Sequence, residues 1–250
     1  MIRSQLREWL PPGLIAFYDG LQTRKLHERN ARQSTEQVFT DIYARNEWGG
    51  APGDFSSGAG STQEDIVAPY VEHMIAELRK IDAQRLTVVD LGCGDFRIGS
   101  QLAPECGRYV GVDIVKPLIE HHRATFASPR VSFEHCNIVE DALPPGDVCI
   151  VRQVFQHLSN AQILAVLPKL KQYRYCFTTE HHPSPARLRK VNVDKPHGAD
   201  IRVAQGSGVF LDRPPFSVPV ERYRQLFEID GGRARGGRDP GIIRTYLLTG

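Results

Sequence analysis

From Leu86 onward, short apolar runs alternate with helical stripes, and this alternation constrains the fold more than any other feature. The runs are Leu86–Leu91, Tyr109–Val112, Val131–Phe133, Val148–Val151 and Tyr173–Thr178. Between them lie stripes such as Val115, Leu118, Ile119, His122, Phe126 and Ile163, Leu164, Val166, Leu167, Leu170. Strands that alternate with helices predict a parallel α/β sheet with helices on both faces. The tail breaks the rhythm. Tyr223–Ile229 and Ile242–Leu248 follow one another with no helix between, which predicts a closing hairpin and an antiparallel terminal strand. The Gly/Arg segment 231–238 between them reads as its turn rather than as an RNA-binding tract.

Upstream, residues 2–45 read as helical pieces. Leu14, Ile15, Phe17, Tyr18, Leu21 and Leu26 form one apolar face, expected to pack on its own domain. Val38, Phe39, Ile42 and Tyr43 repeat at helical spacing in the next piece. Residues 46–61 are dense in Gly and Ser and read as loop. Ser61-Thr62-Gln63-Glu64 fits a capping box opening the stripe Ile66, Tyr70, Met74, Leu78, Ile81, which Pro69 should start or kink. The chain therefore divides into a helical extension with a Gly/Ser lid over 1–62 and a main domain over 63–250.

The charge balance, 31 basic against 29 acidic residues and a net of +2, does not favour nucleic acid. No apolar run approaches the ~18–20 residues of a membrane span. Pro11, Pro12, Arg3, Arg7 and Glu8 do not suit a signal peptide. Five single cysteines, with no pair at metal-ligand spacing, predict reduced thiols in a cytoplasmic protein.

Val88-Val89-Asp90-Leu91-Gly92-Cys93-Gly94-Asp95-Phe96 carries the most chemical information. A strand runs straight into a glycine turn, where a ligand can approach the backbone closely. Asp90 at the strand tip can orient the turn or meet a cationic amine. Asp113 lies nineteen residues beyond Gly94 at the end of the next strand, where a carboxylate can accept from a ribose diol. A dinucleotide fingerprint needs a third glycine, but position 97 is Arg97. The pair of acids therefore favours a nucleoside ligand without a pyrophosphate. A nicotinamide-dependent oxidoreductase is the weaker alternative.

Asp90-Leu91-Gly92-Cys93-Gly94 resembles the first motif of the class I S-adenosylmethionine-dependent methyltransferases. The resemblance extends through Asp113, Cys136-Asn137-Ile138 and Val148 to Leu158, spanning 86–180, and includes the terminal hairpin. It implies a Rossmann-like seven-stranded sheet with S-adenosylmethionine held by Asp90, Gly92, Cys93, Gly94, Asp113, Ile114, Asn137, Ile138, Arg152 and Trp48. It also departs from the family: Phe96 replaces a usual glycine, which should alter the floor near the methionine portion. Gln153, Gln156 and His157 stand where some metal-dependent members place two acids and a His, so no metal is expected. Ile42-Tyr43, Trp48-Gly49, Ser57–Ser61 and Pro214-Pro215-Phe216 are similar to a bacterial subgroup linked to polysaccharides and natural products.

Ligands of open parallel sheets bind beyond the strands' carboxyl ends. That rule selects Arg152, Gln153, His157, Glu180, His181 and His182 for the acceptor. His182 and His157 are the candidate bases, while His181 and Arg202 are candidate substrate contacts. The 183–216 segment reads as a substrate loop, with Arg187, Arg189, Lys190, Lys195, Arg202 and Arg213 available to an anionic acceptor. The expected enzyme methylates a small molecule on oxygen or nitrogen. An RNA methyltransferase is a further alternative.

Overall fold

A computed structural model describes residues 12–51, 53–232 and 240–249. Pro11 and most of the Gly/Arg turn, residues 233–239, lie outside the described residues.

The strands are β1 (Thr87–Leu91), β2 (Arg108–Asp113), β3 (Val131–His135), β4 (Val148–Arg152), β5 (Tyr175–His182), β6 (Tyr223–Asp230) and β7 (Ile242–Thr249). They form one sheet in the order β3-β2-β1-β4-β5-β7-β6. β1 to β5 pair in parallel, and β7 runs antiparallel between β5 and β6. The expected seven-stranded, Rossmann-like sheet with a reversed terminal strand is present. Its order reverses direction at β1, so the tips of β1, β2 and β4 diverge around a crevice where ligands bind.

The helices are α1 (Pro12–Asn30), α2 (Thr35–Ala44), α3 (Ala59–Thr62), α4 (Glu64–Lys80), α5 (Gly99–Leu102), α6 (Lys116–Phe126) and α7 (Asn160–Val166). Val89, Leu91, Val110, Val112, Cys149 and Val151 point into one core layer. Val88, Tyr109, Val148 and Ile150 point into the other. That is the period-two alternation of strands buried on both faces. α2 places Val38, Phe39, Ile42 and Tyr43 in the first layer, whereas α4 places Ile66, Tyr70, Met74 and Leu78 in the second.

Four local expectations need correction. The apolar face of α1 does not pack throughout, since Leu14, Phe17 and Leu21 are exposed. Ser61 forms no capping box. It lies in α3, while Gln63 precedes α4 without a side-chain cap and Pro69 sits inside α4. β5 continues through Glu180, His181 and His182, read from sequence as a loop, because β7 pairs with it as far as His182↔Ile242. The basic residues of 183–216 do not converge on a ligand: Lys195 and Arg202 are buried, and Arg187, Arg189, Lys190 and Arg213 are exposed.

Candidate active site

A 490 Å³ cavity opens over the tips of β1, β2 and β4, within the usual range for small-molecule sites. Its wall over β1 to β3 carries Asp90, Gly92, Cys93, Gly94, Asp113, Ile114, Asn137 and Ile138, all among the expected cofactor contacts. The turn after β1 needs its glycines. Gly92 and Gly94 have φ of +79° and +53°, and a Cβ on Gly92 would lie 2.5 Å from Val154. Asp113 fixes the turn by accepting from Gly94 N (3.1 Å) and Val115 N (3.0 Å). Asp90 accepts from the Tyr109 hydroxyl at 2.6 Å. Burial pushes both carboxyls up to about 6, against the pull of these hydrogen bonds. Phe96 also has left-handed φ (+61°), but its ring leaves the cavity wall and packs among Tyr109, His122, Phe126 and Phe133. It anchors the turn through this aromatic packing, and its side chain does not reach the cavity floor it was expected to alter.

The Gly/Ser segment is latched onto this turn. Ser57 N and Ser61 Oγ both donate to Asp95 Oδ2, at 3.0 and 2.6 Å, and Asp95 N donates back to Ser57 Oγ at 2.8 Å. Arg152 donates to the Gly60 carbonyl at 2.6 Å and stacks over the Tyr70 ring. A Cβ on Gly94 would strike Ser57, and one on Gly60 would strike Gln153. Only glycines permit so close an approach. The sequence reading missed Asp95, although it adjoins the motif.

The remaining wall is aromatic. Trp48 contacts Tyr43 edge-on, with centroids 5.2 Å apart, and lies 5.1 Å from the His157 ring. Phe39 packs against both Trp48 and His157. Trp48 Nε1 reaches the Ala199 carbonyl at 3.5 Å. Ala199, Asp200, Ile201 and Ala204 are the parts of 183–216 that line the cavity. Asp200 ties α1 to this segment through His27 (3.0 Å) and the buried Lys195 (3.3 Å); burial pushes its carboxyl up, but the Lys195 charge and the His27 hydrogen bond outweigh that and hold it below the usual range.

Two buried ionisable side chains brace the turn after β4. Glu180 accepts from Phe155 N and Gln156 N at 3.0 and 2.9 Å. Arg202 donates to the carbonyls of Phe155, Gln156, Leu158 and Val193. Burial pushes Glu180 up to about 8, and Arg202 opposes that shift. Neither residue lines the cavity. Arg202 is thus a brace, not the expected substrate contact.

The histidines separate. His182 is fully buried outside the cavity, with Nε2 donating to the Val209 carbonyl at 2.8 Å. Its burial lowers its pKa to about 4. The expected base at His182 is corrected, because β5 carries that side chain away from the ligand. His181 does line the cavity, and its Nε2 donates to the Pro240 carbonyl at 2.6 Å. His157 lines it too, and burial lowers its pKa to about 4. Among the described residues, no group of three or more His, Cys, Asp or Glu could hold a metal ion.

The family described as "Methyltransferase domain" matches residues 88–173. The structure is similar to the N-methyltransferase NodS from Bradyrhizobium japonicum WM9 in complex with S-adenosylhomocysteine. The TM-score is 0.52 and the identity 13%, over 86% of this chain and 99% of that one. It is also similar to magnesium protoporphyrin IX methyltransferase from Synechocystis PCC 6803 with bound S-adenosylmethionine, with TM-score 0.52, 16% identity, and 88% and 99% covered. A third similar structure is the 1,6-didemethyltoxoflavin N1-methyltransferase of Burkholderia thailandensis, with TM-score 0.53, 14% identity, and 86% and 87% covered. No curated protein matches the chain in sequence. Residues 88–173 are a methyltransferase domain, set in the fold of the class I S-adenosylmethionine-dependent methyltransferases.

Proposed function

We propose that this enzyme methylates a neutral or cationic small molecule. The observation that carries the reading is one cavity with two unlike walls. The first wall fits an S-adenosylmethionine molecule. Asp113 can accept from a ribose diol, Asn137 and Ile138 flank the β3 tip where adenine would lie, and the glycine turn admits the methionine chain. Arg152 Nε is buried without a partner, a donor suited to a carboxylate. Bound there, the cofactor supplies an electrophilic methyl group. The latched 57–61 segment covers the site against water, and Trp48 and Tyr43 offer ring faces that favour positive charge.

The second wall selects the acceptor. Phe39, Tyr43, Trp48 and His157 present aromatic surface, and Asp200 presents a carboxylate. Arg152 is the cavity's one Arg or Lys among the described residues, and it is engaged with Gly60 and Tyr70. Such a wall repels carboxylates and phosphates, so the anionic acceptor expected from the 183–216 arginines is replaced by a neutral or cationic one. Two of the three structural neighbours, the magnesium protoporphyrin IX and 1,6-didemethyltoxoflavin methyltransferases, are named for small molecules, and the flanking motifs keep polysaccharide or natural-product chemistry as the setting.

The test incubates the protein with methyl-labelled S-adenosylmethionine and pools of aromatic amines, alcohols and carboxylic acids, and with RNA. Label in amines or alcohols is expected. Label confined to carboxylic acids, or transferred to RNA, would overturn the proposal.

A further inference from the structure

We infer that Gln156 holds the methyl acceptor and that the acceptor is an amine, an inference resting on the proposed methyl transfer. Three side-by-side groups fix the chemistry. His157 Nδ1 lies 3.0 Å from the Gly198 carbonyl, which can only accept, so Nδ1 carries the ring proton. The buried ring is neutral, so Nε2 is an acceptor. Nε2 lies 3.3 Å from Gln156 Nε2, and the amide must present its NH2 there. This chain of roles leaves Gln156 Oε1 as the amide atom that His157 does not engage. Gln156 is 6% exposed and lines the cavity, yet Oε1 has no partner. A buried amide oxygen without a donor is costly, a cost that a substrate N–H or O–H would recover.

The same geometry chooses nitrogen over oxygen. An amide oxygen accepts a hydrogen bond but takes no proton at neutral pH. His157 offers a poor alternative, with Nε2 engaged and its basicity lowered by burial. Tyr43, also lining the cavity, is hydrogen-bonded to Ser57 and held far above its usual pKa by burial. Asp200 is paired with Lys195 and His27. A hydroxyl, which must lose its proton during attack, is poorly served by this set. An amine that binds as ammonium sheds one proton to water before attack, and the free amine then needs no base from the protein. Its lone pair forms the new C–N bond as the C–S bond breaks toward sulfur, and the positive charge passes from sulfonium to ammonium. The surplus proton then leaves to water. Gln156 is the contact residue in this arrangement, and His157 is a positioning residue that orients its amide.

Calorimetry on protein saturated with S-adenosylhomocysteine tests the idea with three matched probes: benzylamine, benzyl alcohol and benzoate. Benzylamine should bind at least about 10-fold tighter than benzoate, since a charge-assisted N–H bond is the stronger one. Gln156→Leu should weaken benzylamine about 10-fold and leave S-adenosylhomocysteine and benzoate unchanged. With S-adenosylmethionine, product should form from benzylamine and not from benzyl alcohol. Nitrogen-15 spectra of the unaltered protein should show His157 neutral and protonated on Nδ1. Absent benzylamine binding, an indifferent Gln156→Leu variant, methylated benzyl alcohol or an Nε2–H His157 would each overturn the inference. Loss of S-adenosylhomocysteine binding itself would instead overturn the methyltransferase reading.

Discussion

The two walls of the cavity are built in opposite ways. Over β1 to β3, a ligand meets a glycine turn and two carboxylates, contributed by residues at or just beyond the ends of consecutive strands. Over β4, it meets side chains from α2, the Trp48 loop, the 155–157 turn and residues 199–204, drawn together from distant parts of the chain. The first wall is local geometry, and the second is tertiary assembly. The contrast teaches where ligand specificity can vary without disturbing the scaffold.

The largest predicted effect separates a brace from a contact. Arg202 is buried and satisfies four carbonyls, so Arg202→Ala should cost about 3–5 kcal/mol of stability in urea unfolding. A variant of normal stability with impaired acceptor binding would move Arg202 into the second wall after all.

Asp113→Ala should come next, on the first wall. It removes the proposed ribose contacts and should weaken S-adenosylhomocysteine binding by about 2–4 kcal/mol in calorimetry. Unchanged affinity in a folded variant would place the ribose elsewhere.

Sequence made the two walls unequally legible. Asp90, Gly92, Gly94 and Asp113 lie at the ends of recognisable strands, and the topology alone sends them to one place. His182 has the same credentials, but pairing with β7 prolongs β5 as far as His182 and fixes which face it takes. Arg202 and Lys195 read as loop charges available to an acceptor, because nothing local reveals that they are buried. Phe39 and Tyr43 showed helical spacing, which marks a buried face without saying that part of it borders a cavity. The exposed Leu14, Phe17 and Leu21 show the converse limit: periodicity predicts an apolar face, not what covers it.

Loosening the latch probes how far the walls cooperate. Asp95→Ala removes the acceptor shared by Ser57 and Ser61 and should weaken cofactor binding by about 1–2 kcal/mol, with faster release in stopped-flow Trp48 fluorescence. Unaltered release would show that 57–61 merely packs there.

The smallest effect is a pH dependence confined to the first wall. Asp113 has its pKa raised to about 6 by burial, so its contribution to free-protein stability is present below the ordinary carboxylate pKa of about 4 and lost as pH rises through about 6. Cofactor binding uses the ionised form and should move the other way, strengthening between pH 5 and 7 by at most about 10-fold per unit. Asp113→Asn should flatten that profile. A profile that survives the substitution would point to another group.

The central claim is that the β1–β3 wall is an S-adenosylmethionine site, and calorimetric titration of the unaltered protein with S-adenosylhomocysteine and, separately, with NAD tests it most directly. The structure predicts saturable one-to-one binding of S-adenosylhomocysteine and none of NAD, because Arg97 stands where a dinucleotide fingerprint needs its third glycine. Tighter binding of NAD than of S-adenosylhomocysteine would contradict it.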